Sequence, residues 1–274
     1  MSNDYDSSDV ELFRDNVRRF LAEHIAPDYQ QWETAGITPR GLWNKLGEAG
    51  FLCVDVPEEH GGSGAPFIFS MALLEEFGRA GFPSVSGGMA VHSDVVAHYL
   101  VNCGSDQQRQ HYLPKMATGE LVGAIAMTEP GAGSDLQSII TSAEEDGDHY
   151  IINGSKTFIS NGQHCDFVVV AARTNKAVAG AKGTSLFIVD CSNPGFQRGR
   201  NLEKIGLHAA DTSELFFTDM RVPKSAMLGQ PDRGFVVLMS ELQRERLSLG
   251  FIAVSAAEGT LALTIDYVKE RKAF

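Results

Sequence analysis

Three stretches hold residue types that can bind or transform a small molecule. Met127-Thr128-Glu129-Pro130-Gly131-Ala132-Gly133-Ser134-Asp135 leaves an apolar run and becomes a turn. Gly131 and Gly133 let the backbone approach a ligand, and the amides around Gly133-Ser134 can take an anionic or carbonyl group. An ordinary turn has the same composition. No Gly-Lys-Ser/Thr follows, and GxGxxG spacing is missing, so neither a phosphate loop nor a nicotinamide site is indicated. Lys156-Thr157-Phe158-Ile159-Ser160-Asn161-Gly162 then places an aromatic and a hydroxyl two apart, hence on one side of a strand. That pair suits a flat heteroaromatic ring, with Phe158 packing near it and Ser160 bonding its edge; an ordinary strand with one inward Phe reads the same way. The third stretch, Glu241-Leu242-Gln243-Arg244-Glu245-Arg246-Leu247, puts Glu245 three residues after Leu242 and four before Leu249, on an apolar helical stripe. Partial burial there raises a carboxyl toward working pH and makes it a candidate base. The alternative is an ion pair with Arg244 or Arg246, and Glu241, one turn earlier, is the fallback candidate.

The elements that position these stretches fall into three regions. Residues 1–120 read as helices. Ser8 and Glu11 fit a capping box, and Val10, Phe13, Val17, Phe20, Leu21 and Ile25 follow at helical spacing up to Pro27. Thr38-Pro39 starts a helix that Gly50 stops, Phe67–Ala80 is amphipathic, and Ser105 with Gln108 opens a helix ending near Pro114. Residues 121–230 switch to a two-residue period, with strands over residues 121–127, 149–152, 157–160, 166–172, 185–190 and 214–217. Asn153-Gly154 predicts a hairpin turn. The region therefore reads as a small antiparallel β-barrel or sandwich. Residues 231–274 return to helix along Phe235, Leu238, Leu242, Leu249 and Ile252, with no Gly, Asn or Pro to end it. A truncated chain, or one completed by another chain, is the expectation. The fold class expected is α+β multidomain: an N-terminal helical domain, a middle β domain and the start of a C-terminal helical bundle.

The chain has 274 residues, 43% hydrophobic and 21% charged, enough for a sizeable globular core. Its net charge of −12 argues against nucleic-acid binding, which needs a basic surface. Cys53, Cys103, Cys165 and Cys191 form no CxxC pair and read as buried free thiols, so no metal is expected. His24, His60, His92, His98 and His164 read as packing or surface residues. MSNDYDSSDV resembles neither a signal nor a transit peptide, and no uninterrupted apolar run reaches about 18 residues. A cytoplasmic protein without a membrane span is expected.

TEPGAGSD followed by KxFISNG resembles the acyl-CoA dehydrogenase family, closest to its long-chain and isovaleryl branches. Tyr112-Leu113-Pro114 with Gly119-Glu120, the segment from Lys204-Ile205-Gly206 to Val222-Pro223, and Tyr267–Phe274 extend the likeness along the chain. The resemblance implies FAD held by Ile125, Ala126, Met127, Thr128, Glu129, Pro130, Gly131, Ala132, Gly133 and Ser134, together with Phe158, Ile159 and Ser160. Thr128 would lie by the flavin pyrimidine and Ser160 by its N5 edge; members commonly have Trp-Ile-Thr at this last place. Arg271 would reach the flavin diphosphate across a subunit interface. Ser134, Gln243, Arg244, Glu245 and Arg246 would contact acyl-CoA, although many members have Asp where Gln243 stands.

The implied reaction removes an α-proton to Glu245 and a β-hydride to flavin N5. Electrons then pass to electron-transferring flavoprotein, and the assembly is a homotetramer, a dimer of dimers. Most members carry the base on a C-terminal loop; the minority that place it before an Arg on this helix are the match. The competing readings are another flavoenzyme of this fold (a nitroalkane oxidase or flavin monooxygenase), and a non-catalytic half-length subunit of a hetero-oligomer.

Overall fold

The computed structural model describes residues 7–273, so residues 1–6 and the last residue of the Tyr267–Phe274 motif lie outside the described residues. Seven α-helices come first: α1 (Ser7–Phe20), α2 (Tyr29–Ala35), α3 (Gly41–Glu48), α4 (Phe67–Arg79), α5 (Pro83–Ala90), α6 (Ala97–Cys103) and α7 (Asp106–Ala117). Val17, Phe20, Trp43, Leu46 and Phe77 form their core. Ser8 lies inside α1 rather than at its cap, and Glu11 pairs with Arg18 at 2.8 Å instead. At α7 the capping box is formed: the Ser105 amide donates to Gln108 Oε1 at 2.9 Å and the Gln108 amide to Ser105 Oγ at 3.2 Å. Pro114 falls within the last turn of α7, which runs on to Ala117.

Between α5 and α6 the turns widen into a π-helical stretch, Val91–Val96, so residues 83–103 run as one rod through the interior. Most of its residues are buried, His92, Asp94 and His98 among them, and period-based reading passes over such a helix because it has no wet face. His92 is completely buried, receiving the Gly123 amide on Nδ1 at 3.1 Å with Nε2 3.0 Å from the Met116 carbonyl. Burial pushes His92 down to about 4, so it stays neutral.

Eight strands follow: β1 (Gly123–Ala126), β2 (Ser142–Asp146), β3 (His149–Ser160), β4 (Phe167–Arg173), β5 (Thr184–Asp190), β6 (Phe196–Asn201), β7 (Thr212–Pro223) and β8 (Met227–Leu228). They lie in the order β6-β7-β3-β2-β4-β5-β8, and β1 joins β4 in parallel register. The sheet is therefore mixed rather than wholly antiparallel. On β4, Phe167, Val169 and Ala171 face the helical rod while Val168, Val170 and Ala172 face the inner β core. Asn153-Gly154 is not a turn. It lies inside β3 at a β-bulge, where Asn153 exchanges hydrogen bonds with Asp219, and the hairpin turns instead at Gly147 (φ +62°). A side chain on Gly154 would strike Thr141, so the glycine serves packing.

Helix α8 (Gly234–Glu270) closes the chain. Its buried residues are Gly234, Leu238, Glu245, Ser248, Ile252, Ser255 and Gly259; from Leu238 onward they repeat every seven residues, as a seam against a neighbouring helix requires. The partner is α4. A Cβ on Gly78 would lie 2.2 Å from Ser255 Oγ, and one on Gly259 2.3 Å from the Arg79 carbonyl, so small residues let the backbones touch. The expected stripe through Leu249 is displaced, for Leu249 is 60% exposed. Apolar residues surround the helix, so periodicity alone could not select the packed face. Val254, Leu261, Leu263 and Val268 are also exposed. An 18-residue stretch of mean hydropathy 1.5 makes α8 long and apolar enough to cross a membrane, by length and composition only. No unbroken apolar run showed this, because Glu258 interrupts residues 247–264.

Candidate active site

A partly open cavity of about 170 Å³ lies where the helical rod, the sheet and α8 meet. The rod contributes Gly87, Ala90, Val91 and Val95; β1 and the turn after it contribute Ile125, Met127 and Thr128; β3 contributes Phe158, Ile159 and Ser160; α8 contributes Glu245, Ser248 and Leu249. The rod reaches the cavity through its π-helical stretch, a distortion frequent at functional sites.

Three hydrogen bonds lock the Gly-rich turn to β3. Lys156 Nζ donates to Glu129 Oε1 at 2.9 Å and to the Met127 carbonyl at 2.9 Å, and the Thr157 amide donates to the Thr128 carbonyl at 3.0 Å. Glu129 also accepts the amides of Ile140 at 2.7 Å and Thr141 at 2.9 Å. Burial pushes Lys156 down to about 8 against the pull of Glu129. Burial opposes ionisation of Glu129 too, but Lys156 and the two amides together hold it below the usual carboxylate range. Asn161 (φ +62°) adds a clamp to the rod, its side-chain amide donating to the Gly88 carbonyl at 3.0 Å and to that of Gly123 at 3.3 Å.

Phe158 and Ser160 reach the cavity together, though not by simple alternation. The β3–β7 register shifts between Lys156 and Ile159, and Phe158 sits at φ +58° with its side chain 67% exposed. A non-glycine residue held there carries roughly 1–3 kcal/mol of strain, a feature that clusters at ligand-binding sites.

Glu245 faces the same cavity from α8 and is only 8% exposed. Burial raises its carboxyl above the usual range, helped by Glu241 and opposed by the Tyr99 hydroxyl and by Arg246. It pairs with neither adjacent arginine. Arg244 is bound to Asp55, with Asp94 at 3.5 Å, and lies 4.2 Å over the Phe67 ring; Arg246 is exposed. Asp55 also receives His98 Nε2 at 3.0 Å, while burial pushes Asp94 up to about 7.

The structure thus gathers Ile125, Met127, Thr128, Phe158, Ile159, Ser160 and Glu245 around one space. Ala126 points into the β core, and Ala132 into the core beneath the rod. Glu129 is tied to Lys156, while Pro130, Gly131, Gly133 and Ser134 are exposed beyond the cavity wall. Of residues 243–246 only Glu245 lines the cavity, because successive helical residues point about 100° apart. Arg271 follows α8 and donates to the Tyr267 hydroxyl at 3.1 Å; 26 residues past Glu245 is roughly 39 Å along the helix, out of reach of its own chain's cavity. Gly87, Ala90, Val91, Val95, Ser248 and Leu249 line the cavity without having been singled out as site residues. For the four on the rod the only signal was its buried character, and for Ser248 and Leu249 their nearness to Glu245 on α8; neither fixes function. Among the described residues, no group of His, Cys, Asp and Glu is arranged to hold a metal.

Comparison with known proteins matches this arrangement. Residues 7–120, 124–220 and 232–274 match the N-terminal, middle and C-terminal domain models of acyl-CoA dehydrogenases. The chain belongs to the acyl-CoA dehydrogenase family. It is 48% identical over 270 residues to the mitochondrial long-chain specific acyl-CoA dehydrogenase of Sus scrofa, covering 98% of this chain and 62% of that protein. With the mitochondrial isovaleryl-CoA dehydrogenase of Pongo abelii the identity is 38%, covering 98% and 64%. A crystal structure of acyl-CoA dehydrogenase from Geobacillus kaustophilus superposes with a TM-score of 0.95 at 48% identity, covering 99% of this chain and 71% of that one. The Bacillus anthracis acyl-CoA dehydrogenase solved with FAD gives 0.90 at 30%, covering 100% and 46%. The chain therefore spans about 62% of the length of its curated long-chain relative.

Proposed function

We propose that this chain, within the complete protein, is a FAD-dependent acyl-CoA dehydrogenase that converts an acyl-CoA thioester to its trans-2-enoyl-CoA. One observation carries the reading: a single cavity is lined by residues of both flavin-type segments and by a buried carboxylate with no ion-pair partner among the described residues and raised proton affinity. The walls fit a flavin. Phe158 offers an exposed ring, and Thr128 and Ser160 are half-buried with hydroxyls that bond no other described residue. Gly131 and Gly133 leave open space where a Cβ would stand, so the turn is bare backbone toward a ligand.

In this reading residues 125–134 and 158–160 hold FAD, which supplies the acceptor for the β-hydride. Thr128 bonds the pyrimidine side and Ser160 the N5 edge. Glu245 takes the α-proton, and Ser134 meets the thioester ligand. The exposed Gln243 and Arg246 flank the cavity as contacts for the CoA portion, whereas Arg244 is committed to Asp55. Arg271 serves the cofactor of a second subunit, in keeping with its distance from Glu245, and a homotetramer supplies that subunit. Electron-transferring flavoprotein is the onward acceptor. The domains run 1–120, 121–230 and 231–274, the last incomplete.

The test is anaerobic mixing of the FAD-loaded protein, with its C-terminal domain complete, with straight-chain and branched acyl-CoA thioesters. Bleaching of the oxidised flavin band by at least one is expected. A stably bound flavin that none of them reduces contradicts the proposal.

A further inference from the structure

The Glu245 carboxylate has one hydrogen-bond donor among the described residues, and it comes from across the helix interface. Tyr99 of α6 is wholly buried and directs its hydroxyl to Glu245 Oε1 at 2.8 Å. The second oxygen, Oε2, bonds no described residue and is not sealed from the cavity. We propose that Tyr99 is a positioning residue for the reaction: it grips one oxygen of Glu245 and leaves the other turned to the substrate's α-carbon. The inference rests on Glu245 being the base.

The chemistry of the pair supports this. Burial and the adjoining carboxylate push the Tyr99 phenol far above its ordinary range, so it keeps its proton and acts only as a donor. When Glu245 takes the α-proton on Oε2, the bond to Oε1 persists and no second proton moves. A donor to the ionised form favours that form, so Tyr99 offsets part of what burial does to Glu245. Among the described residues no other charged neighbour donates a hydrogen bond to Glu245. Glu241, one turn earlier on α8, raises Glu245 and itself accepts Asn102 Nδ2 at 3.0 Å; Arg246 lowers it without a contact. From the rod, Asp94 faces Arg244 and His98 faces Asp55, while Cys103 beside Tyr99 is a thiol whose proton burial retains.

The experiment compares wild type, Tyr99→Phe and Glu245→Gln, each loaded with FAD, by the pH dependence of flavin reduction. A 13C titration of the Glu245 carboxyl without substrate accompanies it. Tyr99→Phe should keep FAD and shift the acid limb and the carboxyl titration upward by about one pH unit, a tenfold lower rate below the limb. Replacing Tyr99 with 3-fluorotyrosine, a stronger donor of nearly the same shape, should move both downward, and this decides the matter if the Phe variant folds poorly. A role in packing alone would change stability and leave both titrations in place, overturning the proposal. If Glu245→Gln reduces flavin at the wild-type rate, the base assignment itself fails, a result separable from an unmoved Tyr99→Phe limb.

Discussion

Replacing Glu245 with Gln is expected to leave FAD bound and to slow flavin reduction by acyl-CoA about 10²–10⁴-fold, the range for loss of a positioned base. The amide matches the carboxylate in shape, and its oxygen can still accept from Tyr99, so the cavity wall survives. Only the capacity to take a proton is lost. Glu245 is raised in the folded state, so its favourable contribution is complete below the ordinary carboxylate range and disappears as pH rises through its raised value. Above that value the buried anion is a cost that Gln removes, and the same substitution should not destabilise the protein there. A stability gain beside an activity loss marks a group retained for chemistry. Stopped-flow reduction and thermal unfolding on one preparation check both halves; wild-type rates, or a large stability loss, would make Glu245 a structural anion.

Lys156→Met is expected to destabilise the protein by about 3–5 kcal/mol, as when one partner of a buried ion pair is removed. Lys156 and Glu129 are both almost wholly inaccessible, so the stranded carboxylate has no water to turn to. The Ile140 and Thr141 amides still hold Glu129, so the turn loosens rather than unfolds, and FAD affinity falls with it. Denaturant unfolding with FAD titration measures this. A variant within about 1 kcal/mol of wild type would show that the two segments are held together by other contacts.

The parts of this site legible in the sequence are those encoded by contiguous motifs. TEPGAGSD and KxFISNG point to the cavity's sheet wall through Thr128, Phe158 and Ser160, while Gly131, Gly133 and Ser134 fall beyond it. Glu245 was legible from its place among the apolar residues of α8, even though the seam that buries it runs through Ser248, Ser255 and Gly259 rather than Leu249. Contacts between distant segments left no local signal. Tyr99 meets Glu245 across 146 positions, and neither residue's neighbours announce the other. Asn153-Gly154 misled because its dihedral preferences suit a turn, while the structure uses the pair for a bulge and a close approach to Thr141. The rod of residues 83–103 was missed for the opposite reason: it is buried on all sides, so no period distinguishes it.

In the function proposed, one cavity seats the substrate between the flavin segments and Glu245. A crystal structure of the FAD-loaded protein with an unreactive acyl-thioester analogue tests it most directly, through the distance from the substrate's α-carbon to the Glu245 carboxylate. The expected distance is about 3–3.5 Å to Oε2, with the flavin against residues 158–160 on the opposite side of the acyl chain. An α-carbon beyond direct reach of Glu245 and closer to another carboxylate would contradict it.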